Sequence, residues 1–298
     1  MTFSIVARGA GATGRTAYGV AVASRFLAVG AAVPAADPVA GALATQAAAN
    51  LAYRPQGLAL LRAGASAAAT VAGLTAADPD AAERQLGVVA ADGDGATYTG
   101  TGCLDWAGGT AGDGYAIQGN ILAGPQVVEA MRYAFTTGTG PLAERLVAAL
   151  AAGDAAGGDR RGRQSAALLV AEVNAGYGGD PGTAFRGDSG SHVAVDLRVD
   201  DHTDPVGELS RLLALHHLYF DRPDPATLLP LTGELAEEVR ALLAGLGHTA
   251  GDPDEALAAW AGVENFELRL APGRIDPLVL DHLRATGNRA TGNKEERT

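Results

Sequence analysis

The chain has 298 residues, enough for one large domain or for one domain of ordinary size with a small second one. It has 22 Lys and Arg residues against 34 Asp and Glu residues, so its net charge of −12 disfavours nucleic acid and anionic membranes as partners. The only lysine, Lys294, lies in a polar C-terminal segment, which excludes Schiff-base and Walker-type lysine chemistry in the folded body.

A single cysteine, Cys103, permits no internal disulfide, and the first residues, MTFSIVARGAG, lack the basic and apolar regions of a secretory signal. Gly, Pro, Arg or Asp interrupts every apolar run before it reaches the roughly 18 residues that a membrane helix needs. We therefore expect a cytoplasmic protein that acts on a small-molecule substrate, needs no cofactor and has neither a membrane nor a nucleic-acid partner.

Short β-rich segments and two helices make up the predicted first half of the chain. The turn-prone residues GAGATGRT separate the first two strands, and an Asp-Gly turn marks a later hairpin. From that hairpin to Asn120 the chain is rich in glycine and is predicted as a loop. In chain order these elements are strands at 2–8 and 18–25, an apolar segment at 39–46, helices at 50–64 and 66–77, and a hairpin at 86–100.

The second half of the chain alternates helices with strands. In chain order these elements are a helix pair at 125–153, strands at 165–173 and 192–200, a helix at 207–220, and three helices at 233–248, 252–270 and 276–284. Because the helices are grouped between antiparallel hairpins, the order predicts an α+β layered sandwich instead of a βαβ repeat. A Pro-rich break predicts one domain at 1–222, a small all-α module at 223–285 and a disordered tail at 286–298.

Thr2 carries the most specific chemistry near the N-terminus. Its side chain is small enough for Met1 to be removed, which leaves an α-amine and a hydroxyl on one residue at the start of a strand. An α-amine has an ordinary pKa of about 7.7 to 8.0, so it can serve as the base that activates the hydroxyl. The alternative is that the chain begins with Met-Thr for no catalytic reason.

The glycines of GAGATG compete with this interpretation. Gly9, Gly11 and Gly14 form a G-x-G-x-x-G pattern after a strand, and Asp37 stands where a ribose-binding acid is expected. A dinucleotide site requires these glycines to open a helix, whereas the following residues alternate as in a strand, which favours a hairpin turn. The GDSG at 187–190 matches chymotrypsin-like proteases, but every histidine follows Ser189, so we interpret its glycines as turn residues.

Polar residues at the ends of the predicted strands are candidates for substrate binding. If the strands are neighbours, these side chains converge on Thr2; individually, each is also typical of a cap or turn. The candidates are Ser24, Arg25, Thr45, Gln46 and Asn50. Before a helix, Gln118 is a further binding candidate and Asn120 a catalytic one, since amide donors stabilise an oxyanion. Arg25 is a candidate for a substrate carboxylate, and residues 157–166 add three arginines in a carboxylate-binding or a solvated loop.

Two further patterns are weaker. Asp200, Asp201 and His202 could ligate a hard metal, but no H-E-x-x-H motif or cysteine cluster accompanies them, so we expect no metal and a strand end that caps the next helix. Cys103 could be a nucleophile, but no histidine lies upstream to activate it, which favours a buried thiol.

Seven segments resemble, in order, the domain of unknown function 1028 family over about residues 1–220. They are MTFSIVARG, GVAVASRFLAVGAAVP, ATQAAAN, RQLGVVAADG, QGNILAGPQVVEAM, AAGGDRRGRQSAALLV and VDLRVDDHTDPVGEL. Members of that family look like N-terminal nucleophile (Ntn) hydrolases, so the resemblance implies a four-layer αββα sandwich, a nucleophilic Thr2 and a hairpin at GAGATG. The final third resembles the peptidoglycan-binding module often fused to this family, in LAGLGH, EALAAWAGVENFELRL and GRIDPLVLDHLR.

Together these observations predict an amidohydrolase that cleaves a C–N bond, amide or ureido, in a small soluble substrate. Two alternatives stay open: a non-catalytic binding or scaffold protein with the Ntn fold, and a nucleotide-dependent oxidoreductase of Rossmann type. We expect a homo-oligomer. The C-terminal module is predicted to be a helical dimerisation or lid element, with cell-wall binding as its alternative.

Overall fold

The computed structural model describes residues 2–175, 192–249 and 251–295, and the GDSG segment at 187–190 lies outside them. The chain divides into two compact units after Leu213, whereas the sequence predicted a boundary after residue 222. The difference arises because the helix α6, Pro205–Phe220, begins in the first unit and supplies its last residues to the second.

Two antiparallel sheets form the centre of the first unit. In spatial order, the six-stranded sheet contains β10 (Val193–Val199), β9 (Ser165–Glu172), β2 (Thr16–Ser24), β1 (Thr2–Ala10), β8 (Tyr115–Asn120) and β7 (Gly108–Gly112). The four-stranded sheet contains β3 (Pro34–Asp37), β4 (Gly41–Ala47), β5 (Arg84–Ala90) and β6 (Gly95–Thr99).

The predicted loop before Asn120 is wrong, because this region contains β7 and β8. Glycine has a low β-propensity, which hides both strands in the sequence. The structure needs glycine here for close packing: a Cβ atom on Gly119 would lie 2.4 Å from Cδ1 of Leu122. In β8, Ala116 and Ile117 are fully buried, so tertiary packing stabilises a strand that local preference disfavours.

Helices cover the outer face of each sheet. The remaining helices of this unit are α1 (Val29–Ala32), α2 (Tyr53–Arg62), α3 (Ala67–Ala76), α4 (Gln126–Thr137) and α5 (Leu142–Ala155). Helix α5 packs on β1 and β2, whereas α2 and α3 pack on β4 and β5. The facing sides of the two sheets pack on each other through β1, β4, β5 and β8. The first unit is therefore a mixed α+β structure with helices outside two stacked sheets.

The glycine motif forms the turn between β1 and β2, which pair from Phe3 opposite Ala23 to Ala10 opposite Thr16. A strand therefore follows the glycines, and the dinucleotide-binding alternative fails because it requires a helix there. Gly11 leaves room for a buried carboxylate, since a Cβ atom at this position would lie 2.0 Å from Oε2 of Glu172. Thr13 donates a hydrogen bond to the same carboxylate.

Asp37, the residue in the place of a ribose-binding acid, stabilises a turn instead. Its Oδ1 accepts hydrogen bonds from the backbone N–H groups of Val39 and Ala40, at 2.9 and 2.8 Å. Its Oδ2 pairs with Nε of Arg62 at 2.6 Å. The carboxylate is thus occupied by the connection between β3 and β4.

The second unit contains α7 (Gly233–Gly245), α8 (Pro253–Glu264) and α9 (Pro277–Glu295), as well as a short ladder of β11 (Leu229–Pro230) and β12 (Arg274–Ile275). The unit is therefore not all-α. Helix α9 continues to Glu295, within the segment 286–298 where we predicted a disordered tail, and the absent side chain of Gly287 explains part of this. A Cβ atom there would lie 2.7 Å from Leu242, so glycine lets α9 lie close to α7.

A buried ion pair links separate segments of the second unit. Arg269 and Asp276 are 4% and 3% exposed and pair at 2.6 Å. Arg269 also donates to the backbone carbonyl groups of His217 and Leu218, both at 2.5 Å. Within the described parts of the chain, no helix is long and apolar enough to cross a membrane.

Candidate active site

Thr2 begins β1 and is placed opposite Asn120, the last residue of β8. Its side chain is directed between the two sheets, and the residue is 5% exposed. The Oγ1 atom of Thr2 lies 3.1 Å from the Oγ atom of Ser24, which ends the neighbouring strand β2. The carbonyl oxygen of Thr2 accepts a hydrogen bond from Nε2 of Gln46 at 3.2 Å.

Strand alternation brings the polar side chains together. Thr2, Ser4 and Val6 share one face of β1, and Val6 belongs to the apolar cluster between the sheets. Gln118 and Asn120 share the matching face of β8, while Gln46 approaches from the opposite sheet. At the end of the sheets where Thr2 lies, the buried side chains between the sheets are therefore polar instead of apolar. This polar layer contains Thr2, Ser4, Ser24, Gln46, Gln118 and Asn120.

Gln85 connects this layer, although it was not among the predicted residues. Its Oε1 accepts hydrogen bonds from Nε2 of Gln46 at 2.9 Å and from Nδ2 of Asn120 at 2.8 Å. Its Nε2 donates to Oγ1 of Thr99 at 2.9 Å and to the carbonyl oxygen of Gly119 at 2.7 Å. Since Gln85 is fully buried, these bonds replace the water that its amide would otherwise bind.

The backbone determines how these amides are oriented. The carbonyl oxygen of Gly119 can only accept a hydrogen bond, so the Nε2 atom of Gln85 must face it. The Oε1 atom of Gln85 then faces Asn120, whose amide nitrogen must in turn be the donor. This bond uses one N–H of the Asn120 amide.

Gln118 is a structural member of this layer. Its Nε2 donates to the Oγ atom of Ser4 at 2.6 Å, and Ser4 donates to Oε1 of Gln46 at 2.7 Å. Ser4 was not predicted either, although it could have been found, because it lies two residues from Thr2 on the same strand and such residues share a face.

Thr45 and Asn50, which we predicted beside Thr2, lie elsewhere. Thr45 has the opposite orientation to its neighbour Gln46, because successive side chains of a strand alternate between faces. The Oγ1 atom of Thr45 donates to the carbonyl oxygen of Asn50 at 3.4 Å. The amide nitrogen of Asn50 donates to Oδ2 of Asp78 at 2.9 Å, on the side of the sheet that carries α2 and α3.

Asp78 is the centre of a second polar cluster. Its carboxylate also accepts hydrogen bonds from Nε of Arg84 and from the hydroxyl of Tyr53, both at 2.9 Å. The bonds from Arg84 and then Asn50 hold the pKa of Asp78 well below its ordinary value. Burial, followed by the bond to Asp78, raises the pKa of Tyr53 above its ordinary value. The cluster joins the start of α2 to the start of β5.

The Asp78 cluster is expected to make stability depend on pH. Because the folded-state pKa of Asp78 is lowered, its contribution is fully present above the unfolded pKa of about 3.9, decreases below that pH and is lost as the pH falls through the folded-state pKa. Asp78→Asn should therefore lower the urea midpoint at pH 7 and have a smaller effect at pH 3. Asp80→Asn is the control, since Asp80 is 70% exposed and pairs with the same arginine. An equal loss of stability at both pH values would contradict this prediction.

Arg25 lies beside the polar layer but not in it. Its backbone N–H donates to Oδ2 of Asp159 at 2.8 Å, and its exposed guanidinium donates to the carbonyl oxygen of Arg161 at 2.9 Å. Asp159 is 7% exposed and was not predicted. Asp159 belongs to the segment 157–166, of which we considered only the three arginines as candidates for binding a carboxylate.

The range of residues that a family model matches agrees with the extent of the first unit. A family model described as "Family of unknown function (DUF1028)" matches residues 2–209. The chain belongs to the DUF1028 family. A second model, described as "Putative peptidoglycan binding domain", matches residues 219–283. The whole polar layer around Thr2 lies within the DUF1028 match.

The DUF1028 fold has a solved counterpart in a crystal structure of a family member from Silicibacter pomeroyi. That protein is 29% identical to this one, and the match covers 80% of this chain and 92% of that chain with a TM-score of 0.61. No curated protein matches this DUF1028 chain.

Other candidate groups of this DUF1028 protein have structural roles. Burial raises the pKa of the Cys103 thiol, whose Sγ atom lies 3.4 Å from the carbonyl oxygen of Arg84, so it is a poor nucleophile at neutral pH. His202 accepts a hydrogen bond at Nδ1 from the N–H of Asp204, 3.0 Å away, where α6 begins. Within 2–175, 192–249 and 251–295, no three His, Cys, Asp or Glu side chains are grouped as metal ligands.

Proposed function

We propose that this protein is an Ntn-type amidohydrolase that cleaves an amide or ureido C–N bond through Thr2 after Met1 is removed. One observation carries the proposal: the Thr2 hydroxyl is buried at a strand start, 3.1 Å from the Ser24 hydroxyl and opposite the Asn120 amide. The arrangement of helices outside two stacked antiparallel sheets supports an Ntn-like αββα sandwich.

The proposed reaction begins when the α-amine of Thr2 accepts the proton of its own hydroxyl. The oxygen then forms a bond to the substrate carbonyl carbon, and the carbonyl π electrons move to the oxygen. The second N–H of Asn120 stabilises this oxyanion. Collapse of the intermediate breaks the C–N bond, and the ammonium of Thr2 returns its proton to the leaving nitrogen. Water then attacks the carbonyl carbon of the resulting ester while the amine accepts its proton; the C–O bond to Thr2 breaks, the ammonium returns the proton to the Thr2 oxygen, and the acid is released.

The surroundings of Thr2 suit this proton transfer. The ordinary pKa of an α-amine, about 7.7 to 8.0, is already close to that of an effective base at neutral pH. Gln46 holds the carbonyl oxygen of Thr2, and Ser24 holds its hydroxyl, so the nucleophile has a defined position. This positioning supplies part of the rate enhancement.

The proposal is tested by comparing N-terminal processing with turnover. We expect mass spectrometry of the purified protein to show loss of Met1, and a screen of small amides and ureido acids to yield an amine or ammonia product. The expected activity belongs only to the processed fraction. Turnover by protein that retains Met1 would contradict the amine mechanism.

A further inference from the structure

Four arginines lie at the Thr2 end of the two sheets, although the chain as a whole is acidic. They are Arg25, Arg160, Arg161 and Arg163. Arg25 directly follows Ser24, whose hydroxyl is 3.1 Å from that of Thr2. The backbone N–H of Arg160 donates at 3.2 Å to the carbonyl oxygen of Ile121, the residue after Asn120. Arg25 therefore follows the strand end that carries Ser24, and the backbone of Arg160 is hydrogen-bonded beside the strand end that carries Asn120.

Two of the four arginines are neutralised by carboxylates. Arg161 pairs with Asp159 at 3.2 Å, and Arg163 pairs with Asp154 at 2.9 Å. Arg25 and Arg160 pair with no carboxylate in the described parts of the chain, and both are exposed. The Thr2 end of the two sheets thus has two positive charges without a paired carboxylate, beside the proposed reaction centre of a protein with a net charge of −12.

Backbone contacts hold the two arginines in place. Oδ2 of Asp159 accepts the N–H of Arg25 at 2.8 Å, and Arg160 is the next residue after Asp159. Leu122 and Asp159 form an isolated bridge, which joins this segment to the end of β8. The two guanidinium groups are therefore carried by backbone that is connected to both strand ends.

Apolar side chains beside Arg25 can strengthen anion binding. Phe26 and Leu27 are 55% and 60% exposed. Their backbone is anchored, because Ser165 donates to the carbonyl oxygen of Phe26 at 2.5 Å and Ala28 donates to that of Asp200 at 2.9 Å. An exposed ion pair alone contributes little to binding, so a carboxylate needs nearby apolar surface that excludes water from the contact.

We propose that the site takes amide or ureido substrates that carry a carboxylate and an apolar group. Arg25 and Arg160 bind the carboxylate, and Phe26 and Leu27 contact the apolar group. The substrate class rests on the proposed function, whereas the binding of the anion does not require turnover. Planar guanidinium groups suit a carboxylate because both can form paired hydrogen bonds.

The test uses Thr2→Ala protein, in which binding is measured without catalysis. N-acetyl-L-leucine and its neutral counterpart N-acetyl-L-leucinamide are titrated and followed by NMR. We expect the acid to bind at least tenfold more tightly than the amide, with the difference decreasing at high salt. Arg160→Gln should remove most of that preference. Arg163→Gln is the matched control and should keep it, since Arg163 is already paired with Asp154.

Equal affinity for the two compounds, or an unchanged preference in Arg160→Gln, would overturn the carboxylate site. A loss as large in Arg163→Gln as in Arg160→Gln would also overturn it, because the effect would then reflect general charge. Acid-selective binding without turnover in the wild-type protein would refute the proposed reaction and leave the anion site intact. The two proposals can therefore fail separately.

Discussion

Thr2→Ala is expected to lower turnover by about 10⁴-fold or more, because it removes the proposed nucleophile. Alanine is also small enough for Met1 to be removed, so the variant keeps the free amine. The folded state should be little affected, since the hydrogen bond between the hydroxyl groups of Thr2 and Ser24 is worth about 1 kcal/mol. Steady-state kinetics and thermal unfolding of the same preparations measure both effects.

Thr2→Ser is the matched control for this experiment. Serine keeps the hydroxyl and the amine and removes one methyl group, so turnover should be partly retained. A non-catalytic binding or scaffold protein predicts no difference among the three proteins. Activity of Thr2→Ala equal to that of the wild type would show that another group performs the reaction.

The antiparallel hairpins were predictable from the sequence because their alternation and turns are local. Strands β1 and β2 were predicted at 2–8 and 18–25 and are observed at Thr2–Ala10 and Thr16–Ser24. Strand β8 was missed because glycine at 119 has low β-propensity, and its pairing with β1 is a contact between distant segments. Local preference carries no information about such a pairing.

The site was also partly predictable, because some of its residues are marked by local patterns in the sequence. Polar residues at strand ends indicated Ser24 and Gln46, and the position of an amide before a helix indicated Asn120. The structure brings all three close to Thr2. Alternation along β4 should have separated Thr45 from Gln46, because neighbours on a strand face opposite sides. Gln85 could not be linked to Thr2 from spacing alone, since its position opposite Gln46 depends on the register between β4 and β5.

The central position of Gln85 predicts a large loss of stability on substitution. Gln85→Met keeps a similar length but removes one acceptor and one donor group that serve five buried or part-buried partners. Each unsatisfied buried group costs about 1 to 3 kcal/mol, so we expect the free energy of unfolding to fall by about 3 to 5 kcal/mol. Gln126→Met is the control, because Gln126 is exposed and should change stability by less than about 0.5 kcal/mol. Urea unfolding measures both variants.

Gln85→Glu separates the donor role of this side chain from its shape. A carboxylate cannot donate to the carbonyl oxygen of Gly119, whereas a protonated carboxyl group can. Burial should raise the folded-state pKa of the introduced group above the unfolded value of about 4.3. Its penalty is then smallest below pH 4.3, grows as the pH rises from 4.3 to the folded-state pKa and is constant above it. A penalty independent of pH would mean that the site hydrates the carboxylate, and that the amide orientation of Asn120 does not depend on Gln85.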